Sequence, residues 1–118
     1  MRLETLYEDK RGRIVSLHSD GKEYILLETR ADYSRGGDYH KSTQHDVVLR
    51  GKIEWRERTG NLENLRVLEE GDAISIQSGK PHMFTSLEDS LVLEWLEGSF
   101  EKKYYKPYRD LIEERMKR

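Results

Sequence analysis

The sequence predicts an all-β fold, either a sandwich or a barrel, followed by a single C-terminal helix. Three observations support this prediction. Short apolar segments recur from residue 10 to residue 99, turn residues separate them, and the last residues change to helical spacing. Many short strands separated by turns are typical of sandwiches and barrels. No internal repeat, low-complexity stretch or linker divides the chain.

The predicted strands begin with a hairpin. The segments 13–18 and 24–29 are rich in β-branched and aliphatic residues, which favour strands. Asp20 and Gly21 between them form the Asp-Gly pair that is typical of a tight hairpin turn. Turn residues bound the further strands, which we predict at 45–50, 52–57, 65–68, 73–77, 83–86 and 90–96. Together these strands form a barrel core over residues 10–99.

The segment 107–117 has the spacing of an amphipathic helix. Pro107 suits the first turn of a helix, because the N–H group that proline lacks is not needed there. Charged residues fill one face, and apolar residues recur three and four positions apart on the other, namely Tyr108, Leu111, Ile112 and Met116. We expect this apolar face to cover the barrel or a neighbouring subunit.

A chain of 118 residues suits one domain, 1–118, which buries roughly two-thirds of its unfolded surface. Its 21 basic and 23 acidic residues give a net charge of −2, so no net field attracts nucleic acid or an acidic membrane. Bases and aromatic residues alternate at 102–106, as in proteins that bind single-stranded nucleic acid, but a loop before the helix explains this segment better. We therefore expect neither nucleic acid nor a membrane as a partner.

Charged residues form 37% of the chain, against a usual figure of about 25%. This composition indicates either a heat-adapted, thermophilic surface with many ion pairs or simply a very soluble small protein. The absence of cysteine excludes disulfides, thiol nucleophiles and thiolate zinc sites. The N-terminus does not resemble a signal peptide and no apolar run approaches ~18 residues, so we expect a cytoplasmic protein.

Polar residues at 38–44, together with a histidine at position 82, form the candidate site. Alternation along a strand aims Asp38, His40 and Gln44 at one side of a sheet. A second strand can then bring His82 to the same place. Two imidazoles, a carboxylate and an amide oxygen inside a barrel make either a metal site or an acid/base site. The alternative is a structural role for each of them, with the histidines bonded inside the barrel.

The first of two motifs in this region ends at Gly51 and resembles a motif of the cupin superfamily. In that family it reads Gly, five residues, His-x-His, three or four residues, Glu, six residues, Gly. His40 occupies the second histidine position. Asp38 stands in place of the first histidine and Gln44 in place of the glutamate, and the opening glycine is displaced.

The second cupin motif reads Gly, five residues, Pro-x-Gly, two residues, His, three residues, Asn. Gly71, Gly79 and His82 fall on the family's positions. Gln77 replaces the proline and Ser86 replaces the asparagine. The predicted strands on both sides of the two motifs extend the resemblance to most of the chain.

The resemblance to the cupin superfamily implies a double-stranded β-helix, or jelly-roll barrel. It also implies a divalent metal (zinc, nickel, manganese or iron), whose ligands are Asp38, His40, Gln44 and His82. Without a metal, Asp38 would orient His40 as a general base and His82 would donate to a substrate oxygen. His40 and His82 are therefore the candidate catalytic residues.

The segment 35–41 also resembles keto-sugar epimerases and isomerases among the cupins, in which Arg35 would bind a phosphate or a carboxylate. This resemblance implies a protein that binds a small polar metabolite, as a sugar or keto-acid isomerase or epimerase in carbohydrate or polysaccharide metabolism. The alternative is a non-catalytic ligand-binding or sensing module. We expect a homodimer in either case, with residues 3–7 and the helix from Tyr108 at the interface.

Orientations can also be predicted for four residues at positions that the motifs do not specify. Alternation along the strand points His45 to the face opposite the candidate site. We expect His18 to be exposed without a partner, and Glu94 to face solvent from its apolar strand. Asp46 either faces inward, next to a neutralising arginine, or lies at a solvated edge.

Overall fold

The computed structural model describes residues 1–117 and contains eleven strands and one helix. The helix, α1 (Lys106–Met116), follows the last strand. In chain order the strands are β1 (Arg2–Asp9), β2 (Gly12–Ser19), β3 (Lys22–Thr29), β4 (Ser34–His40), β5 (Gln44–Arg50), β6 (Lys52–Thr59), β7 (Leu62–Glu69), β8 (Ala73–Ile76), β9 (His82–Ser86), β10 (Ser90–Leu96) and β11 (Lys102–Tyr104).

The strands form two antiparallel sheets. One sheet contains six strands in the order β1-β2-β3-β10-β5-β8, and the other contains five in the order β11-β4-β9-β6-β7. Strands that are distant in sequence lie side by side, because β10 inserts between β3 and β5 while β9 inserts between β4 and β6. This order is that of a jelly roll, and it confirms the predicted all-β fold with a short C-terminal helix.

The apolar core lies between the two sheets. Alternation along each strand sends one set of side chains to this interior, where burial of each large apolar side chain contributes about 1.5–3 kcal/mol. The main buried cluster contains Ile25, Leu27, Val48, Ile53, Trp55, Leu68, Ile74, Ile76, Phe84 and Val92. Four of these residues, Ile25, Leu27, Trp55 and Phe84, also line a cavity. The core and the cavity therefore share a wall.

Helix α1 covers the outer face of the five-stranded sheet. Met83 alternates with His82, which faces the cavity, and packs outside the sheet against Tyr108 and Ile112. Tyr108 and Ile112 are 2% and 0% exposed, and the Tyr108 hydroxyl donates to Glu63 Oε2 at 2.9 Å. The helix therefore covers its own barrel with Tyr108 and Ile112, whereas Leu111 of the predicted apolar face is 42% exposed.

Two strands lie outside the predicted core at 10–99. Strand β1 forms an edge of the six-stranded sheet, and β11 pairs with β4 at the edge of the other sheet. Residues 102–104 are therefore a strand where a loop was expected, because their backbone completes the edge of the sheet.

No helix within residues 1–117 has the length and apolar character needed to cross a membrane.

Gly37 sets the distance between helix α1 and the sheet. Its φ is +76°, and a Cβ placed there would lie 2.7 Å from Arg109 Cδ and 3.0 Å from Ile112 Cδ1. Gly21 is a matched control, since its φ is +74° and a Cβ there meets no heavy atom of the described chain within 4 Å. We expect Gly37→Ala to lower the free energy of unfolding in urea by about 2–5 kcal/mol, from strain and overpacking together. Gly21→Ala should cost only about 1–2 kcal/mol from strain alone. Equal losses in the two variants would contradict this role.

Candidate functional site

A cavity of about 400 Å³ opens between the two sheets. Its walls carry three groups of polar side chains in addition to the apolar residues shared with the core. They are the acid–imidazole cluster (Asp38, His40 and His82), the carboxyl–amide cluster (Gln44, Asp46 and Glu94) and the arginine pair (Arg11 and Arg35). Tyr7, Lys102, Tyr104 and Arg109 also line the cavity. All four metal ligands predicted from the sequence therefore line one cavity.

A bulge at Gly37 allows β4 to present both Arg35 and Asp38 to this cavity. The two residues are three positions apart and would face opposite sides of a regular strand. The pairing of β4 with β9 shifts between Gly36 and Asp38, so Gly37 is the extra residue. Its φ of +76° lies in the left-handed region that favours glycine. The bulge thus restores an inward direction at Asp38, which lies opposite His82 on β9.

The acid–imidazole cluster is tightly arranged and buried. Nε2 of His40 lies 3.3 Å from Asp38 Oδ1, and Nε2 of His82 lies 3.2 Å from the same oxygen. The other ring nitrogens donate to backbone carbonyls, with His40 Nδ1 3.1 Å from Glu101 O and His82 Nδ1 2.9 Å from Lys80 O. A carbonyl can only accept, so both rings carry hydrogen on Nδ1 and direct Nε2 toward Asp38.

Hydrogen bonding controls the charge of this cluster. Burial alone would raise the pKa of Asp38, but the hydrogen bonds from His40 and His82 outweigh it and hold the pKa well below its usual range. Burial opposes the charged form of His82, yet the hydrogen bond and the charge of Asp38 raise the pKa of that imidazole above its usual value. Asp38 is therefore a carboxylate at neutral pH, beside a histidine that favours its protonated form.

The carboxyl–amide cluster lies in the same cavity. Gln44 Nε2 donates to Asp46 Oδ1 at 3.0 Å and to Glu94 Oε1 at 2.9 Å, which fixes the orientation of the amide. Burial raises the pKa of Asp46 to about 7. Burial, and then the charge of Asp46, raise the pKa of Glu94 well above its usual value. The two acids therefore retain protons at pH values where exposed carboxyl groups are ionised.

The prediction that Glu94 faces solvent is wrong. Glu94 lies on the central strand β10, directly opposite Ile25 of β3 and Asp46 of β5. It shares a face with Val92, which is fully buried, so alternation directs Glu94 into the cavity. Asp46 also faces inward, and its partners are Gln44 and Glu94 where the sequence suggested an arginine.

The structure confirms the predicted direction of His45 and contradicts the prediction that His18 has no partner. His45 faces away from the cavity, where its ring stacks on Trp95 with centroids 5.2 Å apart and Nδ1 lies 2.8 Å from Ser75 Oγ. His18 was expected to have no partner, and this is wrong. Its Nε2 lies 2.9 Å from Ser16 Oγ and 3.2 Å from Glu23 Oε2, because pairing of β2 with β3 brings these residues together.

The N-terminal strand and its turn contribute to the cavity, although the sequence did not predict this. Leu6, Tyr7 and Arg11 line the cavity, although no motif marks them. The pairing of β1 with β2 shifts between Thr5 and Tyr7, and this irregularity places Leu6 and Tyr7 at the cavity wall. Their positions depend on strand pairing, for which the local sequence carries no signal.

The residues present fit a divalent metal ion. One ligand atom from each of Asp38, His40 and His82 lies within 4.8 Å of the others. Gln44 Oε1 is buried and has no hydrogen-bond partner among residues 1–117, while the amide nitrogen is occupied by the two acids. Two imidazole nitrogens, a carboxylate and an amide oxygen suit zinc, nickel, manganese or iron. The backbone contacts of the imidazoles are of the kind that orients metal ligands.

Comparison with known proteins supports the fold. No protein-family model and no curated protein matches the chain. Among solved structures, the chain is similar to the capsular polysaccharide assembling protein CapF from Staphylococcus aureus, with a TM-score of 0.76 and 17% identity over 89% of this chain. It is also similar to vicilin from Corylus avellana (hazelnut), with a TM-score of 0.74 and 16% identity over 86% of this chain.

A third similar structure is oxalate decarboxylase from Bacillus subtilis, a protein with Mn(II) centres, with a TM-score of 0.71 and 18% identity over 84% of this chain. The matches cover 33% of the CapF chain, 34% of the vicilin chain and 28% of the decarboxylase chain, so this chain spans about a third of their length. These proteins share the cupin fold. The chain therefore has the cupin fold that its two motifs indicated.

The stability of the protein should fall as pH rises from about 4 to about 8. The pKa of Asp46 is about 3.9 in the unfolded chain and about 7 in the folded protein. The contribution of its proton to the free energy of unfolding is therefore complete below about pH 3.9 and is lost as pH rises through about 7. His82 acts in the same direction, since its raised pKa gives stability that disappears as pH rises past that pKa. Each such proton changes the free energy of unfolding by at most about 1.4 kcal/mol per pH unit.

Asp46→Asn should make this decline shallower, because one of the titrating groups is removed. Urea unfolding at about pH 5 and about pH 8, with a chelator present, measures the slope. Asp20→Asn, in an exposed turn, is the control and should keep the wild-type slope. A wild-type slope in Asp46→Asn would contradict the role given to this carboxyl group.

Proposed function

We propose that this chain is a small-molecule-binding protein whose cavity holds a divalent metal ion at Asp38, His40 and His82. The observation that carries the proposal is the convergence of two imidazoles and a carboxylate, whose ligand atoms lie within 4.8 Å of one another. Gln44 Oε1, which is buried in the same cavity without a hydrogen-bond partner among residues 1–117, would supply a fourth donor. An ion held by these residues would polarise a carbonyl or hydroxyl oxygen of the bound molecule.

The bound molecule is a sugar derivative or a keto acid in this proposal, and the reaction is an isomerisation or epimerisation in carbohydrate or polysaccharide metabolism. When no ion is bound, the unprotonated Nε2 of a neutral His40 can accept a proton from a carbon next to a carbonyl group, and Asp38 beside it stabilises the resulting imidazolium. His82, whose pKa is raised, suits the donation of a proton to the carbonyl oxygen. Trp55 stacks on His82 with the ring planes 9° apart and keeps water from that side. The fold shared with a capsular polysaccharide assembling protein supports this substrate class.

A second candidate function is ligand binding or sensing without turnover. The observation that favours it is the chemistry of Gln44, whose neutral amide stands where the cupin motif has a charged glutamate. Its amide nitrogen is held by Asp46 and Glu94, so the side chain is fixed. A weaker ligand set suits binding better than redox turnover, which favours this second function.

Metal analysis of the purified protein tests the metal site. We expect one divalent ion per chain, and a loss of at least about 10-fold to 100-fold in metal affinity in His40→Ala and in His82→Ala, because removal of a ligand costs at least as much as removal of a group that only orients a ligand. His45→Ala is the control, because His45 lies outside the cavity, and it should bind metal as the wild type does. If both cavity variants keep the metal content and all ligand binding of the wild type, the site assignment is wrong.

Exchange of substrate hydrogen with solvent separates the two candidate functions. Sugar nucleotides and keto acids are screened by thermal shift, and each hit is incubated with the protein in deuterated water. An isomerase or epimerase that uses His40 should incorporate deuterium next to the carbonyl group, and His40→Ala should reduce the rate at least 100-fold. Stabilisation by a hit without any exchange would instead support the sensing function.

A homodimer stays a prediction, and the exposed apolar residues of β1 support it. Leu3, Leu6 and Tyr7 are 63%, 51% and 53% exposed on an edge strand, which is a surface that proteins commonly cover. Sedimentation should give a dimer for the wild type and a monomer for Leu3→Glu. A monomeric wild type would remove the proposal. A cytoplasmic location and a heat-adapted surface also stay predictions of the sequence.

A further inference from the structure

The outer face of the six-stranded sheet is apolar and carries no helix. The inner face of this sheet contains core and cavity residues, among them Leu27, Val92 and Glu94. Alternation therefore directs their neighbours along the same strands, such as Leu26 and Leu93, to the outside. The single helix within residues 1–117, α1, packs against β4 of the other sheet. The larger sheet thus has a second apolar surface, which the folded chain leaves open to solvent.

Two rows of side chains cross this surface and contain no acid, lysine or arginine. The strand register aligns one residue from each strand in a row, as cross-strand neighbours. From β1 to β8, one row contains Leu3, Leu17, Tyr24, Trp95, His45 and Ser75, and the other contains Thr5, Val15, Leu26, Leu93, Val47 and Ala73. These two rows form the outer apolar face. Except for Val15, all of its apolar members are partly or largely exposed. Monomeric proteins rarely expose a wide continuous apolar patch, and such patches mark interaction sites.

Charged residues border the outer apolar face and are paired within the chain. At one end of the strands, Arg13 and Glu28 form a salt bridge at 2.6 Å. At the other end, Glu97 Oε1 lies 3.4 Å from His45 Nε2. An apolar centre inside a polar rim is the usual anatomy of a protein–protein interface. Since acids and bases are mixed in this rim, it lacks the basic character of a surface that lies on an anionic membrane.

A second copy of this chain has the shape and the area that the outer apolar face requires. The surface that fits the face of a sheet is another sheet, packed about 10 Å away. The six strands lie about 4.8 Å apart and the rows about 6.8 Å apart, and with Leu91 and Leu49 as part of a third row they cover roughly 600 Å². Two copies would together bury roughly 1,200 Å², which reaches the range of specific, stable interfaces. A symmetric pair therefore covers each apolar face with an equal one.

We propose that two copies of this chain form a homodimer by packing their outer apolar faces together, with Leu93 and Trp95 near the centre of the interface. This inference rests on the proposed homodimer and assigns its interface. Leu3 lies at one side of the face, opposite Leu17, so β1 contributes a side chain to the interface. Helix α1 packs against the other sheet, so it stays outside this interface.

Sedimentation equilibrium of the wild type and of Leu93→Glu tests the proposal. The wild type should be a dimer at micromolar concentration. Leu93→Glu should weaken dimerisation at least about 100-fold, because it places one carboxylate from each copy in an apolar interface, where burial of a charge is costly. Leu65→Glu is the matched control, since Leu65 is 49% exposed on β7 of the other sheet. This variant should dimerise as the wild type does.

A second measurement uses the wild-type chain and does not depend on how a variant folds. Trp95 lies in the proposed interface and is partly exposed in the single chain, whereas Trp55 is 1% exposed. Dilution of the wild type from dimer to monomer should therefore increase the quenching of tryptophan fluorescence by acrylamide. The increase comes from Trp95, because Trp55 stays buried in both states.

A monomeric wild type would overturn both this inference and the homodimer itself. Binding of that monomer to vesicles of phosphatidylcholine and phosphatidylglycerol would then identify a membrane as the occupant of the face. A dimer in Leu93→Glu together with a monomer in Leu3→Glu would overturn this inference alone, because the copies would then pair through the edge of β1. Quenching that stays constant while the dimer dissociates would also overturn it.

Two further variants separate this interface from the other parts of the molecule. Leu111→Glu, at an exposed leucine of α1, should keep the dimer, and loss of the dimer there with retention in Leu93→Glu would place the interface at the helix. Leu93→Glu should keep the metal content of the wild type, and His82→Ala should keep the dimer. Failure of the metal site would therefore leave the assigned interface intact.

Discussion

The bulge at Gly37 is the constraint on which the rest of the site depends. It adds one residue to β4, so that Arg35 and Asp38, which a regular strand would turn to opposite faces, both face the cavity. Asp38 then lies opposite His82, and its Oδ1 lies 3.3 Å from Nε2 of His40 and 3.2 Å from Nε2 of His82. On the outside of the sheet, the missing side chain of Gly37 gives helix α1 the space to pack. One glycine therefore connects the packing of the helix with the arrangement of the cavity.

The cavity concentrates polar groups that a folding core would exclude. Each buried carboxylate or guanidinium carries a desolvation cost, and the protein offsets this cost with hydrogen bonds, with retained protons on Asp46 and Glu94, and with the paired charges of Asp38 and His82. Three buried side-chain atoms of the described residues remain without a partner: Arg35 Nη1, Gln44 Oε1 and Asp46 Oδ2. All three belong to residues that line one cavity. Unsatisfied groups are rare in native proteins, and their concentration here is consistent with a site that a ligand completes.

The fold by itself does not select a reaction, since the similar structures include a capsular polysaccharide assembling protein and a decarboxylase. The side chains in the cavity are more informative. Relative to the cupin motif that the chain resembles, Asp38 replaces a histidine and Gln44 replaces a glutamate. In the proposed ligand set, the carboxylate therefore stands at the first histidine position of the motif and not at the glutamate position. The set keeps one negative charge, but that charge now lies between two imidazoles.

Local sequence determined the strands, the turns between them and the apolar face of the helix, because side-chain alternation and turn chemistry act over a few residues. It also indicated His40, His82, Asp38 and Gln44, since the spacing of two motifs placed them together. The direction of Glu94 was not predictable, because its strand is apolar on both faces and alternation gives no direction there. Strand pairing decided that Glu94 meets Asp46, that Arg35 is buried without a counterion and that β1 closes one wall of the cavity. These are contacts between residues distant in sequence, and they depend on register and on a bulge that only the assembled sheets define.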